Sequence, residues 1–494
     1  MLTGVAFVVV LCVAAAAARP RRSRRAADFH AAATPVPPWW NGAAITSEIT
    51  SAAACLGIAG LIATRGGPMV WYPVGAAAGF VVLLALVAAP LRRSGTYTLP
   101  GFAEWRLGSA AVRRAATGLV LVVGLALMVA QLHAAGVVVR LLTGLPSWPG
   151  WAAVAVAALA VAFAGGAGSV TSVQASQFWL KLAVFAGVGA VCWWTAGTRP
   201  LVGFEGGYRP GVPGLAGAGD PSLPGVLAVL PACALGVVGL PNVIVRLYTS
   251  RDAGGARRSI LATQVLLAVF CVVPALYGVL GRAQAARGRA DEVVLLLPAR
   301  MLPGAAGQAL TALLAAGAFA AFLATTGGVL VAVGGAVSSC ARRPGVTTFR
   351  LAVTAVLLAA LVVTALTGPR ASVALVLLGF SLSAATLCPL LVLGIWWPRL
   401  TDAGVLAGFA VGGGVTAALV CRVGVNLGVN LGVLTSHPAP LAVPAGFAAM
   451  VMISLVTPRR VPRGVGRMMA RMHVPEHRAS PLGYRSSPPD DRSS

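Results

Sequence analysis

The sequence predicts an all-α polytopic membrane protein of about 13 transmembrane helices, with a core of two inverted five-helix repeats, the N-terminus outside and the C-terminus inside. Three observations predict it. The 494-residue chain is 58% hydrophobic and only 10% charged, far from the roughly one quarter charged of soluble domains. Apolar runs near 20 residues, the length that crosses about 30 Å of hydrocarbon, recur everywhere except in the last ~38 residues. Two of these runs, five spans apart, are interrupted by polar or Gly/Pro clusters.

Reading the runs against their Gly, Pro and Arg breaks gives spans at 3–18, 43–63, 69–90, 117–140, 150–168, 173–196, 223–246, 259–281, 304–335, 350–368, 372–396, 403–424 and 440–457. The first is read as a retained helix and not a signal peptide, because no basic stretch precedes it and RPRRSRR follows it. An odd number of spans puts the two termini on opposite sides. With the N-terminus outside, the inside loops hold 26 arginines and the outside loops 10, which satisfies the positive-inside rule. The implied organisation is an N-terminal helix and basic cytoplasmic loop at 1–42, a first repeat at 43–196 and an extracellular loop at 197–222. A second repeat at 223–400, two accessory helices at 401–457 and a basic cytoplasmic tail of disordered composition at 458–494 follow. Such a chain belongs in the cell membrane, with the lipid bilayer as its main partner.

A net charge of +25 would suggest nucleic acid in a soluble protein. Here the basic residues follow the loops and form no binding face, so no nucleic-acid partner is expected. Lys181, the single lysine, ends the run QFWLK inside a segment and reads as a snorkelling side chain. The eight cysteines are scattered almost one per segment without a CxxC pair, so neither a disulfide framework nor a metal cluster is implied. His133 reads as a packing residue. No paired carboxylates or nucleophile–base set share a face, so the chain is not read as an enzyme and no cofactor is expected.

Glu48 is the single carboxylate inside an apolar segment. An intramembrane charge costs about 2.5–3.5 kcal/mol on insertion scales and marks a functional site by default. Pairing, protonation or a bound cation must offset that cost, which points to ion-coupled transport. Around it, Thr46, Ser47, Thr50 and Ser51 concentrate hydroxyls in the span 43–63, and at helical spacing Glu48, Ser51 and Cys55 share one face. The span 223–246 reads PACALGVVGLPNVIVRLY, where Gly236, Gly239 and Pro241 interrupt the apolar run. These are the second and seventh spans. An offset of five, being odd, makes the repeats inverted, with a broken helix opening each and the site between them. On the ninth span Thr325 and Thr326 offer adjacent hydroxyls, suitable oxygen ligands for a hard cation such as Na⁺.

These stretches resemble the sodium:solute symporter family, and within it the cation/acetate symporters, from about Asp28 to about Arg399. The likeness is carried in order by ADFHAAA, SAAACLGIAGLIA, VAQLHAAG, GGAGSVTSVQASQFWLKL, GLPNVIVRLYTSRDAGGARRS and GFSLSAATLCPLLVLGIWWPRLTDAG. The resemblance implies the amino-acid/sodium symporter-type fold, with sodium between the first and eighth core helices, here the second and ninth spans. It implies that Glu48 stands for the family's aspartate near the ion, that Ser51 and Thr325 match conserved hydroxyls, and that carbonyls near Ser47 and Thr50 complete the shell. Three positions depart from the pattern: Glu48 is one methylene longer than aspartate, Ala324 replaces a hydroxyl residue, and Asn242 replaces a histidine. Na⁺ is the coupling ion the resemblance implies, and H⁺ stays open beside it.

The substrate implied is a small monocarboxylate such as acetate, moved by alternating access. Half-helix ends at the breaks would hold the anion, lined by Gln131, Asn242 and Phe380 with backbone groups near Gly236 and Gly239. Arg246 closes its segment at the cytoplasmic end and is read as a positive-inside residue. The competing reading is a non-transporting membrane sensor or interaction protein on the same scaffold.

Overall fold

The computed structural model describes residues 36–51, 53–197, 223–282, 290–341, 345–368, 372–421 and 438–474. The expected span at 3–18, most of the loop 197–222 and the end of the tail from 475 lie outside the described residues. Among those described, every regular element is helical. We number them α1 (Pro38–Ile49), α2 (Ile58–Arg65), α3 (Trp71–Val82), α4 (Ala88–Arg93), α5 (Leu99–Leu107), α6 (Ala110–Thr143), α7 (Trp148–Gly197), α8 (Leu223–Gly239) and α9 (Pro241–Tyr248). Then come α10 (Ala253–Gly281), α11 (Ala290–Met301), α12 (Ala305–Ser339), α13 (Val346–Leu366), α14 (Ser372–Leu382), α15 (Cys388–Trp396), α16 (Asp402–Cys421), α17 (Ala439–Val456) and α18 (Val465–His473).

Ten helical segments among the described residues are long and apolar enough to cross a membrane, or 11 if the bent pair Pro38–Ile49 and Ala54–Thr64 counts as one span. The expected fifth span appears as the shorter apolar helix Trp148–Ala164. It runs on into the sixth within the 50-residue α7. Helix ends follow local chemistry. The Ser109 hydroxyl accepts from the Val112 N–H to start α6, and Gly144, at φ +71°, closes it in the left-handed conformation that glycine tolerates.

At the centre lies α12, buried throughout 314–336 and packed most extensively against α7. The periphery is the reverse. On α13 the side chains of Leu351, Leu358, Val362 and Leu366 face outward, as do Met452, Leu455 and Val456 on α17. Exposed aliphatic rows of this kind suit hydrocarbon, and exposed Trp148, Trp193 and Trp194 suit the interfacial level where tryptophan concentrates.

Two prolines shape the scaffold through what they lack. Pro90 and Pro389 have no N–H for the carbonyls of Leu86 and Ala385, four residues earlier. Each is preceded by one widened π turn, Leu83–Val87 and Ser383–Leu387. The freed groups are used elsewhere. Trp396 Nε1 donates to the Leu86 carbonyl at 3.0 Å. The Ala385 carbonyl lies against Gly412 and Gly446, where any Cβ would collide with it.

Candidate functional site

Both expected helix breaks are present. The second span is helical to Ile49 and then turns, so that α1 and the segment Ala54–Thr64 are inclined by 67°. The sequence TSEITS explains the end of α1. The Thr46 hydroxyl donates to the Gly42 carbonyl at 2.8 Å and the Thr50 hydroxyl to the Thr46 carbonyl at 2.7 Å, side-chain bonds that compete with the helical ladder. Thr50 then leaves the helical region at φ −77°, ψ 60°. The second break is one residue long: Leu240 is extended at ψ 120°, between the end of α8 and Pro241 at the start of α9.

The two broken helices meet through charge. Glu48, on α1, is 1% exposed and Arg246, on α9, is equally buried. Arg246 donates to Glu48 Oε1 through Nε at 2.9 Å and through a terminal nitrogen at 2.7 Å. Gln174 of α7 donates to the same oxygen at 2.8 Å, and Asn242 of α9 donates to Oε2 at 2.9 Å. Arg246 also bonds the Thr171 hydroxyl and the Gln174 side-chain carbonyl. Its own backbone carbonyl accepts from Asn41 Nδ2 at 3.0 Å and from Thr249 Oγ1 at 2.8 Å. A buried ion pair is tolerable only when its remaining donors and acceptors are satisfied, and here α1, α7 and α9, with Thr249 at the end of α9, supply the partners. Gly328 on α12 is part of the fit, because a Cβ there would strike the Glu48 carboxylate.

Lys181 completes the arrangement from α7. It is fully buried, not snorkelling. Its Nζ donates to the Ser47 carbonyl at 2.7 Å, the Thr50 carbonyl at 3.0 Å and the Thr50 hydroxyl at 2.9 Å. An ammonium has three protons, and all three have acceptors at the end of α1. Within this cluster the two cations Arg246 and Lys181 face the single carboxylate of Glu48. Among the described residues, the one other fully buried cation is Arg106, which is bonded to the Gly394 and Trp397 carbonyls.

The remaining expected cation ligands separate. Thr325 Oγ1 donates to the Glu48 carbonyl at 2.8 Å, tying α12 to α1. The buried hydroxyls of Ser47 and Thr326 have no hydrogen-bond partner. Ser51 is half-buried and lines a cavity of about 110 Å³ with Thr50, Ile58, Tyr72, Phe270 and Phe380. Of the expected substrate-lining residues, Phe380 is on that wall. Gly236 packs on Phe380, where a Cβ would lie 2.8 Å from its carbonyl oxygen, and Gly239 packs on Ser383 and Cys388. Asn242 belongs to the Glu48 cluster, and Gln131 is buried on α6 away from the cavity wall.

Arg246, Gln174, Thr171 and Lys181 are the members that sequence reasoning missed. Arg246 was assigned to a cytoplasmic segment end and Lys181 to snorkelling. The sequence carried only a general signal: a lone intramembrane carboxylate calls for a cationic partner, and Arg246 and Lys181 both stand in apolar runs, at 223–246 and 173–196.

These features define a helical membrane protein whose two broken helices enclose a charged, polar centre beside a small cavity. The chain belongs to the sodium:solute symporter family, whose profile matches residues 29–412. It is 28% identical over 307 residues to the uncharacterized symporter YwcA of Bacillus subtilis, covering 60% of this chain and 59% of that protein. It is also 28% identical over 328 residues to a monocarboxylic acid transporter of Corynebacterium glutamicum, covering 60% and 58%. The aligned region thus spans less than two thirds of either relative. The fold is similar to that of a Na⁺-coupled sialic acid symporter solved substrate-bound and outward-open, at TM-score 0.72 and 12% identity over 92% of this chain and 97% of the other. It is also similar to Mhp1, a nucleobase-cation-symport-1 family transporter in a closed conformation with bromovinylhydantoin bound, at TM-score 0.59 and 14% identity over 92% and 99%.

Proposed function

We propose that this chain is a secondary active symporter that moves a small monocarboxylate such as acetate across the cell membrane by alternating access, driven by a cation gradient. The observation that carries the substrate class is the charge count at the first break. Two buried cations against one buried carboxylate leave the cluster with an excess positive charge, and Thr50 connects that cluster to the cavity wall. An anion entering the cavity would balance the excess, whereas a neutral or cationic solute would not. The cavity, about 110 Å³, lies well below the roughly 300–1,000 Å³ of sites for drug-sized ligands and suits a solute of a few heavy atoms. The wall is mostly apolar and includes Thr50, Ser51 and Tyr72, a surface for a short alkyl group. The Corynebacterium relative named as a monocarboxylic acid transporter supports the same class.

Uptake of labelled acetate, propionate and pyruvate into proteoliposomes, with sodium and proton gradients imposed separately, tests this reading. Accumulation of at least one monocarboxylate above its equilibrium level under one gradient is expected. No uptake of any of them under either gradient would favour a sensor on a symporter scaffold.

A further inference from the structure

We propose that Lys181 is a tethered cation that fills the ion cage at the end of α1 and keeps sodium out of it. For its bearing on coupling the inference rests on the symporter reading above, but the cage itself can be probed without any solute.

The argument starts from coordination. The cage consists of the Ser47 carbonyl, the Thr50 carbonyl and the Thr50 hydroxyl, at 2.7, 3.0 and 2.9 Å from Lys181 Nζ. These are ordinary N–H···O lengths, and the three acceptors match the three ammonium protons. A hard monovalent cation would seek the same oxygens. The two carbonyls are available because α1 stops at Ile49, so no later turn of that helix claims them. Lys181 reaches them from another helix, and its Nζ has no carboxylate partner within the cage. The lysine therefore takes the place of an ion and not that of a salt-bridge partner.

The remaining oxygens nearby do not offer an alternative charged site. Both oxygens of the Glu48 carboxylate already accept from Arg246, Gln174 and Asn242. The Thr325 hydroxyl is turned to the Glu48 carbonyl. A sodium ion added here would be a third positive charge beside one carboxylate, in a setting with little water to screen it. The oxygen set suits a cation, and the chain supplies that cation itself. Truncating Lys181 would remove the cation from the three oxygens, leaving only 3.4 Å bonds from Thr50 Oγ1 to the Ser47 carbonyl and from the Cys55 thiol to the Thr50 carbonyl, with the unpaired hydroxyl of Ser47 on the same helix as a further ligand.

Binding of ²²Na⁺ to the purified full-length chain in detergent, with choline as the replacement cation, reads this directly. The wild type is expected to bind no sodium saturably. Lys181→Ala, and Lys181→Met, which keeps an apolar stem in the space, are expected to bind about one ion per chain. Adding Thr50→Ala to either variant should weaken that binding about tenfold or more, as loss of a supporting oxygen does at metal sites. Saturable sodium binding by the wild type would overturn the proposal. So would its absence from a Lys181 variant that remains monodisperse. Should both variants aggregate, a rise in the wild-type melting temperature with sodium but not with choline would overturn it, and no difference would uphold it. Because no solute is present, failure of acetate uptake leaves the outcome of this experiment unaffected.

Discussion

The two broken helices solve one problem by different means. At the first break, α1 ends on polar residues, and its loose carbonyls are held by an ammonium from α7. At the second, Pro241 and the extended Leu240 make the break, and neutral groups close it: the Ser383 hydroxyl donates to the Gly236 carbonyl at 2.9 Å, and the Leu240 N–H to the Val237 carbonyl at 3.3 Å. The first break is therefore sensitive to charge and the second to packing. Only the first lines the cavity with its break residues, Thr50 and Ser51, which is where ion chemistry and solute would meet.

Removing charge should separate the two breaks most sharply. Arg246→Leu leaves the Glu48 carboxylate buried without its cation, and a loss of about 3–5 kcal/mol of stability is expected, read as a fall in melting temperature of the solubilised protein. Glu48→Gln strands Arg246 in the same way and should abolish gradient-driven uptake while the protein still inserts. Combining the two changes should recover much of the lost stability, because each removes the group that the other leaves unpaired. A double variant as unstable as the sum of the singles would show that the ion pair is not the link between the helices.

Packing changes at the second break should cost less. In Gly239→Ala the new methyl would lie 2.6 Å from Ser383 Oγ and 2.8 Å from the Cys388 nitrogen, so a loss of about 1–3 kcal/mol is expected. Ser383→Ala removes a single bond to the Gly236 carbonyl and should cost about 1 kcal/mol. Both effects should be independent of which cation is in the buffer. A sodium-dependent change in melting for either would blur the distinction drawn between the breaks.

The positions of the breaks were legible in the sequence because prolines, glycines and clustered hydroxyls act locally: TSEITS and GVVGLP each carry enough to stop a helix. Among the described residues the apolar spans were legible for the same reason, through continuous apolar runs. The partners of Glu48 were not. Arg246 is 198 residues from Glu48, and Gln174 is 126 residues away. Nothing in local spacing shows that α7 and α9 bring them to one carboxylate. Lys181 was misread because a lysine within an apolar run has two ways to satisfy its charge. Reaching the membrane surface is one and capping a broken helix is the other. Only the approach of α7 to α1 distinguishes them. The pairing of Thr325 with the Glu48 carbonyl was likewise hidden, although both residues had been singled out.

The most direct test of the account is acetate counterflow in sodium-free buffer, which needs no ion gradient. Proteoliposomes loaded with unlabelled acetate should take up labelled acetate transiently with the wild-type protein in choline, while Lys181→Ala should do so only when sodium is added. Counterflow by the wild type that requires sodium, or no counterflow by it under any condition, would contradict the account.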